Sequence, residues 1–301
     1  MANSTTYSQI KKRRFKEDTF WGIAFIVPVF LGFTLFALIP MLASLYFSLT
    51  EYNIYQPPEF IGLQNYVELF RDPLVGKSLV NTFYAMFSIP VSMILSYLIA
   101  VILCQKIKGL RFFQTMFYIP MVCSAVAVSL LWQWIFNADY GHLNYFLSLV
   151  GIDGPDWLVS AKWAMPAMII QGVWGSLGVN IILYIAAIKN VPESYYEAAE
   201  IDGANWWRKL TRITLPCITP TVFFVLVTSL INAMQDFTRF LVMTGGGPEF
   251  STTTIVYYLY QSGFRYMQMG YASAMGWLVG IIIIIITVIN FKMSDKWVQY
   301  D

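Results

Sequence analysis

Glu197-Ala198-Ala199-Glu200-Ile201-Asp202-Gly203-Ala204-Asn205-Trp206-Trp207-Arg208-Lys209-Leu210-Thr211-Arg212-Ile213-Thr214-Leu215-Pro216 is a polar, charge-bearing island between two long apolar runs. Trp163–Ile188 precedes it and Cys217–Met243 follows it, each longer than the about 20 residues needed to cross a hydrocarbon core. Flanked in this way, the island is a loop joining two membrane spans. Four more runs of the same kind, Phe20–Leu49, Leu79–Cys104, Phe112–Phe136 and Tyr271–Phe291, bring the expected spans to six. They are continuous and apolar all round, so helices rather than alternating barrel strands satisfy their backbones. The expected fold class is an all-α polytopic membrane protein with six transmembrane helices.

Composition agrees. Hydrophobic residues make up 57% of the chain and charged ones 12%, against about 25% charged in a soluble domain. The first run exceeds the h-region of a signal peptide and follows the basic stretch Lys11-Lys12-Arg13-Arg14-Phe15-Lys16, so it is expected to stay as a span. Fourteen of the 19 Lys and Arg residues fall in 1–19, 105–111, 189–216 and 292–301. The positive-inside rule then puts those segments, the island and both termini in the cytoplasm. Cys104, Cys123 and Cys217 lie in or at the ends of spans and form no disulfide framework. The single histidine, His142, has no nucleophile or metal-ligand pattern around it. Covalent catalysis is not expected of this chain.

The island itself reads as two short helices. Pro192 and Glu193 suit the first turn of one, which Gly203 ends. Asp202 is expected to cap a second, Ala204–Ile213, with Trp206, Leu210 and Ile213 at helical spacing and Leu215-Pro216 turning the chain into the next span. The alanines and Gly203 leave a flat surface against which a soluble partner could close. A charged hairpin that merely fixes orientation explains the same residues.

The spacing Glu197-Ala198-Ala199, three residues, Gly203, nine residues, Ile213, one residue, Leu215-Pro216 resembles the EAA loop of permease subunits of binding-protein-dependent ABC importers, in the carbohydrate-uptake branch. Gly62-Leu63-Gln64-Asn65-Tyr66, Asn81-Thr82, Ile119-Pro120, Gly141 with Asn144, Thr244-Gly245-Gly246-Gly247-Pro248 and Gly270-Tyr271-Ala272-Ser273-Ala274 look like that branch too. They are most similar to the first permease of the maltose and glycerol-phosphate type pairs. Leu210 departs from the family, which usually has phenylalanine there.

This resemblance implies a type I permease in the bacterial plasma (inner) membrane: an arm over 1–19, a first helix over 20–49, a five-helix core over 78–291 with a coupling loop over 189–216, and a tail over 292–301. It implies that Glu197, Ala198, Ala199, Asp202, Gly203 and Ala204 touch a cytoplasmic ABC ATPase dimer, with Leu215 and Pro216 anchoring the loop. A second homologous permease and an extracytoplasmic sugar-binding protein would complete the system, with no nucleic acid involved. ATP-Mg would be held by the ATPase subunits. The chain would carry no cofactor or metal and catalyse nothing itself, and it lacks a Walker A pattern.

Polar groups inside a membrane are costly and are functional candidates. In the fifth span Asn232, Gln235, Asp236 and Arg239 stand at i, i+3, i+4 and i+7, one face of an uninterrupted helix. The fourth span adds Gln171, Trp174, Asn180 and Tyr184, and Trp174 suits stacking on a sugar ring. Asp236 and Arg239 fit either a structural ion pair or a ligand contact. The competing class is a secondary transporter or channel acting alone, which usually carries several membrane carboxylates and inverted repeats. Asp236 is the single mid-span acid here.

Overall fold

A computed structural model describes Thr19, residues 21–105 and residues 109–299. The basic run 11–16, nearly all of the expected arm over 1–19, Lys106, Lys108 and the last two residues of the tail lie outside the described residues.

Apart from connecting loops, the described chain consists of helices and one short hairpin. Helix α1, Trp21–Ser48, is apolar on every side and contributes little buried surface. Lipid is as apolar as leucine, so such a helix has no cost to expose. Strands β1, Thr50–Glu51, and β2, Glu59–Phe60, pair antiparallel and lead into the short amphipathic helix α2, Gln64–Arg71. Helix α3, Pro73–Leu103, is 31 residues long. The expected span began at Leu79. Asp72 and Pro73 end α2 and also start α3, because the Asp72 carboxylate accepts the Leu74 N–H at 2.8 Å and Pro73 suits a first turn.

The third and fifth spans are each broken, against expectation. The third is α4, Leu110–Val122, and α5, Ala125–Ile135, bent by 106°. Pro120 and the extended backbone of Cys123 interrupt the ladder. Helix α6, His142–Leu149, precedes α7, Ala164–Lys189. The island follows as α8, Glu193–Ile201, and α9, Trp206–Cys217. A 71° bend at Ile218 starts α10, Thr219–Gln235. Asp236 is then extended, and α11, Thr238–Met243, resumes on a new axis. Helix α12, Ile255–Tyr260, and α13, Met269–Ser294, complete the chain.

Helix α7 is the central post. It packs along α3, with α4 and α10 against its other sides. Three apolar clusters make up the core. One joins α2, α3, α10, α12 and α13 through Leu69, Ile89, Met234 and Met275. Another gathers Phe136, Met165, Met168 and Phe240 around Trp157. The third holds Ala100, Tyr184, Ile185, Ile218 and Val225 at the island end. Trp157 is buried against Phe136 and Trp163, with its indole N–H on Asn144. It is a core group.

The motifs at the far end from the island act as clamps. The Asn65 amide donates to the carbonyls of Ser48 and Thr50. Asn81 donates to Phe250 and Thr253, and the Thr82 hydroxyl accepts the Ile255 N–H. The Asp72 carboxylate also accepts the hydroxyls of Tyr258 at 2.6 Å and Tyr271 at 2.8 Å, tying the start of α3 to α12 and α13. Burial by itself would raise this carboxyl, but the two hydroxyls and the Leu74 and Val75 amides outweigh it and hold it below the ordinary range. A depressed folded-state value stabilises above the unfolded value of about 3.9 and the contribution is lost as pH falls through the folded one. Asp72→Ala is expected to lose about 2–3 kcal/mol at neutral pH, with a flattened acid limb, by thermal unfolding in detergent across pH 2–7. An unchanged acid limb would sink the assignment.

Candidate functional site

The breaks at Cys123 and Asp236 open onto one cavity of about 640 Å³. Cys123 borders it at the α4–α5 break, and Asp236 and Phe237 border it at the α10–α11 break. Serines 88 and 92 of α3 and Ser129 of α5 line it too. Broken helices at mid-bundle are where transporters build polar sites, because the freed backbone there lines a cavity rather than lipid.

Seven of the eight residues singled out in the spans line this cavity: Gln171, Trp174, Asn180, Asn232, Gln235, Asp236 and Arg239. Their common face is not that of one helix. Helix α10 stops at Gln235, so Asn232 and Gln235 reach the cavity from its last turns, Asp236 from the break and Arg239 from α11. Tyr184 lies elsewhere. It is fully buried in the cluster at the island end, edge-on to Tyr97.

Arg239 is buried, with its Nε 2.7 Å from an Asp236 carboxylate oxygen. That contact is ionic, since the Nε–H is not aligned for a hydrogen bond. Its Nη1 donates to the Met168 carbonyl at 3.0 Å and the Gln171 amide oxygen at 3.3 Å. The guanidinium also lies over the Phe240 ring at 4.8 Å. Gly172 makes this possible, for a Cβ there would stand 2.0 Å from Nη1. The carboxylate of Asp236 is 31% exposed. The cation is thus locked into the wall while the acid faces the cavity, an acceptor suited to hydroxyls. The Asn180 amide nitrogen is buried without a hydrogen-bond partner. Trp174 stands edge-on to Trp132 at 5.5 Å.

The island is the second part of the site. Helix α8 ends in a Schellman motif, with the Ala204 N–H on the Ala199 carbonyl at 2.8 Å and the Gly203 N–H on that of Glu200 at 3.0 Å. This closure needs φ of +70° at Gly203, which glycine adopts freely. Asn205, not Asp202, caps α9, by accepting the Arg208 N–H. Asp202 sits at the α8 C-terminus, where its side chain is too early to reach the first amides of α9. Lys209 pairs with Glu200 at 2.5 Å and closes the hairpin.

Helix α9 widens into a π-turn over Leu210–Thr214 and runs on to Cys217, four residues beyond its expected end. Pro216 has no N–H for the carbonyl four residues back and its ring crowds that group, which favours the wider turn. Glu197, Ala198, Asp202 and Gly203 are exposed, Ala199 is buried and Ala204 half-buried. Three large apolar side chains are also left open: Ile201 at 87%, Trp207 at 61% and Trp206 at 43% exposure. These apolar side chains stand exposed on a segment that also bears several charges.

Residues 60–299 match the model of the family described as binding-protein-dependent transport system inner membrane component. The chain belongs to this family. It is accordingly a multi-pass inner-membrane permease subunit. The "Probable ABC transporter permease protein YesP" of Bacillus subtilis (strain 168) is 41% identical over 97% of this chain and 96% of its own length. The lactose transport system permease protein LacF of Rhizobium radiobacter is 32% identical over 97% and 99%. Among solved structures, a chain of the bacterial alginate ABC transporter in complex with alginate pentasaccharide-bound periplasmic protein superposes with a TM-score of 0.82 at 26% identity, covering 94% of this permease and 96% of that chain.

Sequence reasoning missed Gly172, the Met168 carbonyl and the serines of α3. Small residues and backbone atoms leave no mark in a sequence that separates a cavity wall from helix packing.

Proposed function

We propose that this permease forms half of the translocation path of an ATP-driven carbohydrate importer, with sugar passing through the cavity at the two helix breaks. The observation that carries the reading is the convergence of Trp174, Asn180, Asn232, Gln235 and Asp236 on that cavity. An aromatic face with a few amides and a carboxylate is what a hydroxyl-rich ligand requires. The relatives that carry lactose and alginate support this cargo class. Arg239 acts from behind, as the fixed counter-ion of Asp236, and Tyr184 has no part in the path.

The exposed island is the seat for a separate cytoplasmic ATPase dimer that holds ATP-Mg. Glu197, Ala198, Ala199, Asp202, Gly203 and Ala204 form its contact, and Leu215 and Pro216 set the angle at which it meets α10. Both termini are cytoplasmic, a second homologous permease closes the open side of the cavity, and a sugar-loaded binding protein docks on the opposite face.

Proteoliposomes containing the purified complex provide the test. Labelled oligosaccharides are expected to enter only with ATP hydrolysis and binding protein present. Uptake by the permease without either would establish the stand-alone carrier instead.

A further inference from the structure

Tyr97 is a half-buried tyrosine of α3 whose hydroxyl donates to the Leu210 carbonyl at 2.8 Å, across 113 positions of sequence. Leu210 opens the π-turn of α9, and its carbonyl also accepts the Leu215 N–H, five residues on. The hydroxyl therefore takes the second lone pair of a carbonyl in a widened turn. The Tyr97 ring is fixed in its turn by the buried ring of Tyr184, at 6.0 Å and 79°. Tyr196, on α8, shares a hydrogen bond of 2.9 Å with the Thr214 hydroxyl at the other end of the same π-turn.

The same helix reaches the cavity. Ser92 lies five residues before Tyr97, about 7.5 Å along the axis, and Ser88 lies one further turn away. Both line the cavity with Ile89. The covalent route from the island to the cavity passes through the 71° bend at Ile218 into α10. A push along α9 is poorly aligned with α10 beyond such a bend. The hydrogen bond from Tyr97 is a directed route into the α3 wall, beside the apolar packing of α3 on α10.

We infer that Tyr97 is a positioning residue that makes α3 follow the island, so that the α3 and α10 walls of the cavity move together when the ATPase closes. This rests on the transport reading above. Without the hydroxyl, the island still moves with the ATPase but the Ser88–Ser92 wall no longer follows.

The test uses the whole complex with its ATPase and compares hydrogen exchange without nucleotide and trapped with ATP and vanadate. In the parent complex, trapping is expected to change exchange in both 193–217 and 88–103. In Tyr97→Phe the change in 193–217 and the basal ATP hydrolysis stay as they were, and the change in 88–103 falls by about five-fold, the weight of one hydrogen bond. Matching exchange of the two nucleotide-free complexes shows that the variant is folded. An undiminished change in 88–103 overturns the inference, as does an equal loss in Tyr196→Phe, which leaves the Tyr97 bond intact. Absence of any nucleotide-dependent change in 193–217 of the parent complex overturns the transport reading itself.

Discussion

Gly203→Asp is expected to abolish uptake while leaving a folded, membrane-inserted permease. The substitution separates docking from folding because of where Gly203 sits. Its φ is +70°, and nothing lies within 4 Å of an added Cβ. Aspartate tolerates the left-handed region better than most residues, so the Schellman closure costs on the order of 1 kcal/mol. The new carboxylate joins Glu197, Glu200 and Asp202 on a surface that the proposed contact must desolvate. Like charge at an interface costs several kcal/mol, and each 1.4 kcal/mol is tenfold, so uptake should fall more than about 100-fold. Stimulation of ATP hydrolysis by binding protein should vanish with it. Normal uptake in a well-expressed variant would remove the docking role from this loop.

The second large effect concerns the pair in the cavity wall, and it is asymmetric. Asp236→Ala strands a guanidinium that is buried and cannot lose its proton. Breaking a buried pair in this way costs about 3–5 kcal/mol. Arg239→Ala strands a carboxylate that is 31% exposed and borders the cavity, where it can be hydrated. Its cost should be smaller, about 2–3 kcal/mol, arising from the vacated volume beside Gly172 and the unpaired Gln171 and Met168 oxygens. The double variant should be more stable than the two single losses add up to, by at least about 1 kcal/mol. Melting temperatures of the four complexes in detergent measure this cycle. Additive losses, or a more damaging Arg239→Ala, would show that the pair does not act as a locked unit.

The pair also illustrates how far the primary structure could be read. Asp236 and Arg239 stand three apart and meet as such spacing allows. The helix assumed to carry them does not exist, because the backbone breaks at Asp236. Apolar composition predicts that a segment sits in the membrane, but it is the same for a straight helix and a broken one. The break at Asp236 is braced by Arg239, whose guanidinium reaches Met168 and Gln171 of α7, far away along the chain.

The island shows the converse. Its two helices, the stop at Gly203 and the turn after Pro216 follow from local rules of dihedral preference and lost donors. The position of its cap does not, since Asp202 and Asn205 are both competent and only the exit angle from Gly203 chooses Asn205. Tyr184 fails for a related reason. It shares a helix with Trp174 and Asn180, but lies ten and four residues beyond them, beside the cluster under the cavity.

Sequence alone determined the six apolar runs, the family pattern of the island and the polar residues worth attention. These depend on the chemistry of single residues and on spacing within about one or two turns. Tertiary structure decided which of those residues share a cavity, which member of the ion pair faces it, and that Tyr97 reaches the π-turn of the island. Such facts arise from helices crossing at distances along the chain that no local periodicity encodes.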